Sequence, residues 1–387
     1  MAPLSQFLVS LLAVGSALAT PVPQTDDALA ARPGPGGPGG PGGPGGPGGP
    51  APAPKCKPKQ KLQIRKAWHV LTNKEKKAYI DAELCLMKKP SKIHRPGSRT
   101  IFDDFQSAHA NLTEIVHYTG QFLPYHRLLV RGHEHALQQE CGYKGAQPYW
   151  DEPLDAGAFT QSVVFDPVTG FGGNGVGASR CIADGPFANY TNTLDGYVIQ
   201  DHCITRTVTD FVSWAAHAQY RDQCLAKTTW LDFWLCLEAS PHNAGHGGVG
   251  SQMSNPISSP GDPLFYLHHA YLDMVWAKWQ AQNPSVRLTE MGGRNHAVLA
   301  ENFPGPLFPS DIPPPPGFPG PPVGGGQPPA LDVSVPSHLQ LPTVIGDGGG
   351  NVTTLNHRLQ MLGLYPDRTI AEVMNTEAGD LCYRYDA

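Results

Sequence analysis

Histidine is the residue type whose number and spacing stand out in this sequence. The chain has 16 histidines among 387 residues, and six of them form two groups. One group is spaced by eight and nine residues, and the other combines an i, i+4 pair with a later histidine: His109, His117 and His126, then His242, His246 and His269. Imidazole is a common ligand of copper, zinc, iron and nickel. The spacing therefore predicts two neighbouring metal sites of three imidazoles each.

The second group contains a pair that can chelate an ion by itself. His242 and His246 are four residues apart, so they share one face of a helical turn. Ser240 is predicted to cap that turn, and Pro241 to be its first residue. The HExxH motif is absent from the sequence, so a zinc metalloprotease has no support.

The third ligand of the second group has two candidates, because His268 and His269 are adjacent. Adjacent residues diverge by roughly 100° around a helix, so one of them is favoured. His269 lies four residues before Asp273 on the same helix face. Asp273 could accept an N–H bond from a ligand histidine or from a neighbouring group. We therefore favour His269.

The predicted ligand set contains imidazole without carboxylate or thiolate. Such sites keep both Cu(I) and Cu(II) accessible, and imidazole suits copper well. Two neighbouring Cu(I) ions could give two electrons to O2 together, whereas zinc would have no redox role. The histidine pattern therefore favours a copper pair that handles O2.

Composition and charge exclude several other classes of protein. The formal net charge is −5, without a long basic stripe, which argues against a nucleic-acid partner. No apolar run of 18 residues follows the N-terminal segment, which argues against a membrane-spanning protein. Seven Trp, 14 Phe and 13 Tyr can support a folded core.

The N-terminal segment is predicted to be a secretion signal. Residues 7–19 are apolar and end in an A-x-A pattern, which indicates a signal peptide over residues 1–19 and a secreted, extracellular protein. Residues 20–54 are expected to be a Pro/Gly-rich linker or propeptide, and residues 55–387 the folded domain. A second Pro/Gly-rich tract at about 303–330 is interpreted as a surface insertion.

Eight cysteines in an oxidising compartment indicate disulfides. We expect Cys56 to pair with Cys382, which would tie the ends of the folded domain together. N-x-T sequons fit the secretory route and predict N-glycans at Asn111, Asn189 and Asn351.

Apolar spacing predicts a mainly α fold with few strands. Helices are expected over residues 102–116, 126–140 and 267–279, and two short helices over residues 64–71 and 79–86. Long Gly-rich stretches between them predict irregular loops. His133 and His135 are predicted to lie on the surface.

The motifs around the histidines resemble those of the tyrosinase and catechol oxidase family of type-3 copper proteins, which is related to haemocyanins. Residues 117–127 match its H-x8-H motif ending in F-L-P-W/Y-H-R, and residues 241–246 match P-H-N-x-x-H. Residues 262–276 match D-P-x-F-x-x-H-H-x-x-x-D-x-x-W. The similarity runs from about Arg65 to Tyr385, and the Pro-rich insertion departs from it.

This resemblance implies an antiparallel four-helix bundle that holds a dicopper centre, with long irregular loops. It implies copper A on His109, His117 and His126, and copper B on His242, His246 and His269. The family spacing favours His109 over His94 for the first ligand. It also implies that Arg65 stacks on the rings of a closing Y-x-Y motif, Tyr383 and Tyr385.

Two departures bear on the family comparison. Ile115 stands where many members carry a cysteine that forms a thioether with the second copper A histidine; we expect Cys85, the other candidate, to be in a disulfide. The chain ends two residues after Tyr385, which suggests the short, secreted, fungal type without a C-terminal lid domain.

The resemblance implies a polyphenol oxidase that uses O2 to oxidise o-diphenols to o-quinones. Glu238 and Asn243 match the pair proposed in the family to hold a basic water, so hydroxylation of monophenols is expected as a second activity. Phe265 and Tyr266 are expected to form walls of the site, and Pro256 and Ile257 to line its entrance. The alternatives are a specialised oxidase of o-aminophenols or an indole phenol in a pigment or secondary-metabolite pathway, and an oxygen carrier.

Overall fold

The computed structural model describes Cys56, residues 61–295, Asp347 and residues 351–387. The predicted signal peptide, the linker and the insertion at about 303–330 lie outside these residues. Within the described ranges, no helix is both long and apolar enough to cross a membrane.

Helices form most of the regular structure, which confirms the expected mainly α fold. They are α1 (Asn73–Leu86), α2 (Ile101–Val116), α3 (Phe122–Cys141), α4 (Asp210–Ser213), α5 (Ala218–Leu225), α6 (Trp230–Leu237), α7 (Asn243–Val249), α8 (Leu264–Gln282), α9 (Pro284–Arg287) and α10 (Ile370–Val373). The three predicted long helices are confirmed as α2, α3 and α8, each somewhat longer than its apolar spacing indicated.

Strands occur only as short two-stranded ribbons in the described part of the chain. They are β1 (Gln63–Arg65), β2 (Gly175–Val176), β3 (Cys181–Ile182), β4 (Thr191–Asp195), β5 (Val198–Cys203), β6 (Arg358–Leu359), β7 (Arg368–Thr369) and β8 (Tyr383–Tyr385). Strand β1 pairs in parallel with β8, and the other three ribbons are antiparallel hairpin-like pairs of consecutive strands.

The predicted helix over residues 64–71 is wrong. Residues 63–65 form strand β1, and only a short 3-10 turn follows at Trp68–Val70. The backbone N–H of Gln63 donates to the carbonyl of Cys382 at 3.1 Å. The partner strand is more than 300 residues away in the sequence, so local apolar spacing carried no information about it.

Capping residues fix where α1 and α2 begin. Thr72 and Glu75 form a reciprocal capping box at α1, and Thr100 and Asp103 form one at α2. Each box satisfies backbone N–H groups that have no partner inside the helix. The histidine-bearing face of α2 is thereby set relative to its first turn.

Helices α2, α3, α7 and α8 surround the histidine groups. Residues 117–121 alone join α2 to α3, and so short a connection makes the two helices antiparallel neighbours. Helix α3 packs against α8, where the guanidinium of Arg127 lies 3.5 Å from the ring centroid of Trp276. The side chains of Arg127 and Trp276 are fully buried.

All eight cysteines form disulfides. The expected pairing of Cys56 with Cys382 is confirmed. The other pairs are Cys85–Cys141, Cys181–Cys203 and Cys224–Cys236. Because Cys85 is in a disulfide, it is not available for a thioether to a histidine.

The Arg65 stacking implied by the resemblance is confirmed. Its guanidinium lies 3.4 Å from the ring centroid of Tyr383 and is fully buried. The hydroxyls of Tyr383 and Tyr385 donate to Asp273 Oδ2 at 2.6 and 2.5 Å. Arg65 and Arg127 also donate to the Asp273 carboxylate. Of the two roles considered for Asp273, the structure therefore shows a bond to neighbouring groups.

Candidate metal centre

Three elements bring the first histidine group together. His109 lies on α2, His117 ends that helix as its C-cap, and His126 lies on the first turns of α3. Their ring centroids are 5.1 to 5.5 Å apart. One ligand nitrogen of each lies within 4.8 Å of the others, so the three rings converge on a common point. His94, the alternative first ligand, is exposed.

The second group contains four histidines. His242 and His246 lie 4.6 Å apart between ring centroids, as their i, i+4 spacing predicted. His269 lies 5.5 and 5.4 Å from them. His268 lies at 5.7 and 4.6 Å, so it joins the same cluster. The sequence analysis favoured His269 and set His268 aside, whereas the structure brings both into the group.

The two groups form one centre. The ring of His126 stacks on that of His269, with centroids 4.1 Å apart and planes 9° from parallel. His117 and His242 approach to 6.3 Å on the other side. Two metal ions held by these groups would therefore be neighbours.

Backbone carbonyls fix the orientation of five of the six predicted ligands. In each of these five, ring nitrogen Nδ1 lies 2.5 to 3.2 Å from a carbonyl oxygen: His109 to Ile257, His117 to Thr113, His126 to Phe122, His242 to Glu238 and His246 to Met253. A carbonyl oxygen only accepts, so Nδ1 carries the proton and Nε2 is the unprotonated nitrogen of the neutral ring. This is the tautomer in which Nε2 can bind a metal.

Burial keeps these imidazoles neutral. It lowers the pKa of His117 to about 4. Burial, with repulsion from neighbouring imidazoles, lowers the pKa of each of the other five well below the ordinary value of histidine. Metal ligands must be deprotonated before they bind, so the centre is ready to accept metal at neutral pH.

Unpartnered nitrogens show that the centre suits a metal ion. His242 Nε2, His268 Nε2 and His269 Nδ1 are buried and have no hydrogen-bond partner among the described residues. A buried polar atom without a partner costs about 1–3 kcal/mol, and a coordinated metal would remove part of that cost. An all-imidazole donor set fits copper or zinc and does not fit magnesium or calcium.

A widened helical turn presents His242. Residues Glu238–His242 form a π turn between α6 and α7, with Pro241 inside it. Proline has no N–H and cannot continue an α-helical ladder, and a π turn accommodates this break. The prediction that Ser240 and Pro241 begin a new helix is therefore wrong, since the chain is already helical from Trp230.

Glu238 is completely buried beside the first histidine group. Its Oε1 accepts from the backbone N–H of Tyr118 at 2.7 Å, and its Oε2 accepts from the indole N–H of Trp234 at 2.6 Å. Burial raises the pKa of Glu238 to about 8. Asn243 is the first residue of α7 and is half-buried.

The predicted walls are only partly confirmed. Phe265 lies 4.2 Å from His269 and 5.2 Å from His109 between ring centroids, so it borders both groups. Tyr266 instead stacks on His133 at 3.5 Å. Ile257 is buried and holds His109 through its carbonyl, and Pro256 is half-buried. Their role at the entrance stays a prediction.

The surface assignment of His133 is wrong. Its side chain is fully buried and lies 3.2 Å from both Glu83 Oε2 and Gln147 Oε1. These partners, and Tyr266, come from distant parts of the chain, which is why spacing along α3 did not reveal them. His135 is half-buried.

Sequence reasoning missed Glu152, which contacts the second group. Its Oε1 lies 2.5 Å from His268 Nδ1, and both side chains are fully buried. The two residues are 116 positions apart. The sequence carried no local signal for this contact.

Comparison with known proteins gives consistent matches. A family model described as the common central domain of tyrosinase matches residues 99–282. The tyrosinase-like protein phomQ1' of Diaporthe leptostromiformis is 31% identical over 347 residues, which cover 84% of this chain and 79% of that protein. The N-acetyl-6-hydroxytryptophan oxidase ivoB of Emericella nidulans is 25% identical over 381 residues, with 84% and 92% covered.

A solved structure shares the fold. A mutant polyphenol oxidase from Thermothelomyces thermophila superposes with a TM-score of 0.67 and 27% sequence identity, and the match covers 86% of this chain and 91% of that one. The likeness extends over most of both chains, including the helices that carry the histidines.

Proposed function

Because the chain belongs to the tyrosinase family, we propose that it is a dicopper polyphenol oxidase that uses O2 to oxidise o-diphenols to o-quinones. The observation that carries the proposal is the stacking of His126 on His269, which joins two all-imidazole groups into one centre. The bound copper pair would supply two-electron exchange with O2 and with the phenol.

We propose that copper A binds to His109, His117 and His126, and copper B to His242, His246 and His269. Support comes from the convergence of the rings and from the carbonyls that hold Nδ1–H in five of them. These contacts hold the rings in place, so little reorganisation is needed when metal binds. Burial excludes bulk water from the ligands.

Aromatic side chains give the centre an apolar border. Phe122 lies 4.8 Å from both His126 and His242, and Phe265 borders the opposite group. Both phenylalanines are fully buried. Such a border suits a flat phenolic ring and keeps water from competing with it.

Hydroxylation of monophenols would need a base. A phenol has a pKa of about 10, so its deprotonation near pH 7 costs about 4 kcal/mol. We propose that Glu238 and Asn243 hold a water molecule that takes this proton. Each Glu238 oxygen accepts one protein N–H and keeps a second lone pair for such a water.

A specialised oxidase is the second candidate function. One relative is named as an N-acetyl-6-hydroxytryptophan oxidase and aligns over 84% of this chain. An o-aminophenol or an indole phenol would use the same copper pair, because each can give up two electrons from an aromatic ring. The choice between these substrates depends on residues around the entrance.

We also propose that the folded domain, residues 55–387, is secreted. Four disulfides support an oxidising compartment. Asn189 and Asn351 are exposed, and N-glycans at these positions remain a prediction. Asn111 is half-buried on α2, which makes it a poorer glycan acceptor.

Oxygen uptake by the copper-loaded protein tests the proposal. The substrates are an o-diphenol, its matching monophenol, an o-aminophenol and a 6-hydroxyindole, each at the same concentration. Uptake with the o-diphenol supports the proposed activity, and uptake with the monophenol as well supports the hydroxylase. Uptake confined to the last two favours the specialised oxidase. Two bound copper ions without uptake on any substrate would contradict both.

A further inference from the structure

A buried carboxylate–imidazole pair lies directly behind the second histidine group. Glu152 Oε1 and His268 Nδ1 are 2.5 Å apart, and neither side chain is exposed to solvent. Since Nδ1–H donates to the carboxylate, Nε2 is the nitrogen of His268 left to interact with the cluster. That nitrogen is buried and has no partner among the described residues.

The chain makes room for this pair at a glycine. Gly245 lies on α7 between His242 and His246. A Cβ atom at this position would come 2.2 Å from His268 Nδ1 and 2.8 Å from Glu152 Oε1. Any larger residue would therefore push the pair away from the cluster.

The position of His268 is also that of a ligand. One ligand nitrogen of His268 lies within 4.8 Å of those of His242, His246 and His269. Its ring is as close to His246 as His242 is, at 4.6 Å between centroids. A histidine whose second nitrogen is held by a carboxylate is a frequent metal ligand, because the carboxylate fixes the ring and raises its basicity.

We propose that the second site is a four-imidazole site, in which His268, held by Glu152, binds the metal together with His242, His246 and His269. This inference rests on the proposed function, because it requires that the second cluster binds copper. It adds a fourth ligand and a carboxylate partner to one ion, so the two copper sites are unequal. The second site then binds metal more tightly than the first.

Copper bound to the second site alone can be examined in a chain whose first site is removed. The double variant His109→Ala, His117→Ala removes two ligands of the first cluster. A single Cu²⁺ in the remaining site gives an electron paramagnetic resonance signal, and pulsed measurements count the coordinated imidazoles. We expect four, and three after the further change His268→Gln. Three imidazoles in both chains would overturn the proposal.

The Glu152→Gln variant tests the carboxylate and serves if the His268 variant does not fold. We expect the affinity of the second site for Zn²⁺, measured by competition with a chromogenic chelator in the same background, to fall roughly 10- to 100-fold. Glu83→Gln is the matched control, because Glu83 forms a similar fully buried pair with His133 away from the clusters. Its Zn²⁺ affinity should change less than about threefold.

Metal content separates failure of this inference from failure of the proposed function. The unaltered protein should bind two copper ions per chain. Fewer than two would contradict the dicopper function and with it the fourth ligand. Two ions, with equal effects of Glu152→Gln and Glu83→Gln on Zn²⁺ affinity, would leave the function intact and overturn the inference alone.

Discussion

The carboxylate of Glu238 accepts a 2.7 Å hydrogen bond from the backbone N–H of Tyr118, the residue that follows His117. The backbone carbonyl of the same glutamate accepts from His242 Nδ1 at 3.1 Å. One residue thus joins the loop that carries a ligand of the first group to the turn that carries a ligand of the second. The distance between the two groups depends on it.

Replacing Glu238 by glutamine should weaken this link. The amide has one accepting oxygen, so either the Tyr118 N–H or the Trp234 indole N–H loses its acceptor. We expect the copper-free protein to lose roughly 1–3 kcal/mol of stability, measured by thermal unfolding. Glu140→Gln is the control, because Glu140 only pairs with Lys92 near the surface. Equal effects of the two changes would contradict the linking role.

Asn243→Gly tests the proposed base. If Asn243 helps to hold a water that takes the phenol proton, its loss should lower kcat/KM for a monophenol by roughly 10- to 100-fold. The o-diphenol should lose less than about threefold, because its oxidation relies less on that base. Asn356→Gly, in an exposed loop, is the control. Equal losses on both substrates would count against the role.

Gly245→Ala should destabilise the protein, although alanine usually favours a helix over glycine. The new Cβ would come 2.2 Å from His268 Nδ1, so the buried pair behind the second site must move. We expect a loss of roughly 1–3 kcal/mol from overpacking. Gly247→Ala on the same helix is the control, since its Cβ meets only the side-chain tip of Val212, at 2.8 Å. A stabilised Gly245 variant would refute this steric account.

Asp273→Asn should be among the most destabilising single changes. The Asp273 carboxylate is nearly inaccessible to solvent and accepts from Arg65, Arg127, Tyr383 and Tyr385. Removing its charge leaves buried guanidinium groups short of a counter-ion, which costs roughly 3–5 kcal/mol. Thermal unfolding measures the effect. Asp201→Asn, which breaks only the exposed pair with Arg99, should change stability by less than about 1 kcal/mol.

The capping box of α1 gives stability a defined dependence on pH. The backbone N–H and hydroxyl of Thr72 donate to Glu75 and, with Lys66, lower its pKa to about 2. Because the folded pKa lies below the ordinary value of 4.5, this contribution is present above pH 4.5 and is lost as the pH falls towards 2.

The Glu75→Gln variant isolates that contribution. At pH 6 its melting temperature should be lower than that of the unaltered protein by roughly 1–3 °C. The gap should narrow between pH 4.5 and pH 2. A gap that stays constant over this range would show that the carboxylate charge does not contribute.

The histidine groups could be predicted from the sequence because each depends on local spacing. His242 and His246 share one helix face through their i, i+4 separation, and the flanking motifs identified α8 and the stacking of Arg65. The pairing of Cys56 with Cys382 followed from a simple expectation about chain ends. These features require only short-range periodicity or a recognised motif.

The remaining features depend on contacts between distant segments. Glu152 reaches His268 across 116 positions, and Glu83 reaches His133 across 50, so neither partner has a local signal. Strand β1 forms because β8 lies beside it. The π turn that contains Pro241 looked like a helix start, because proline is common at both places.

The bond between Cys56 and Cys382 turns the folded domain into a covalent ring. Asn295 and Asn351 are themselves neighbours, with the Asn295 N–H donating to the Asn351 carbonyl at 3.1 Å. A protease that cuts once between them would open the ring and release no fragment. The nicked protein would run as one species without reductant and as two with it. Residues 351–387, which carry the tyrosines around Arg65 and Asp273, would stay attached to the histidine-bearing helices.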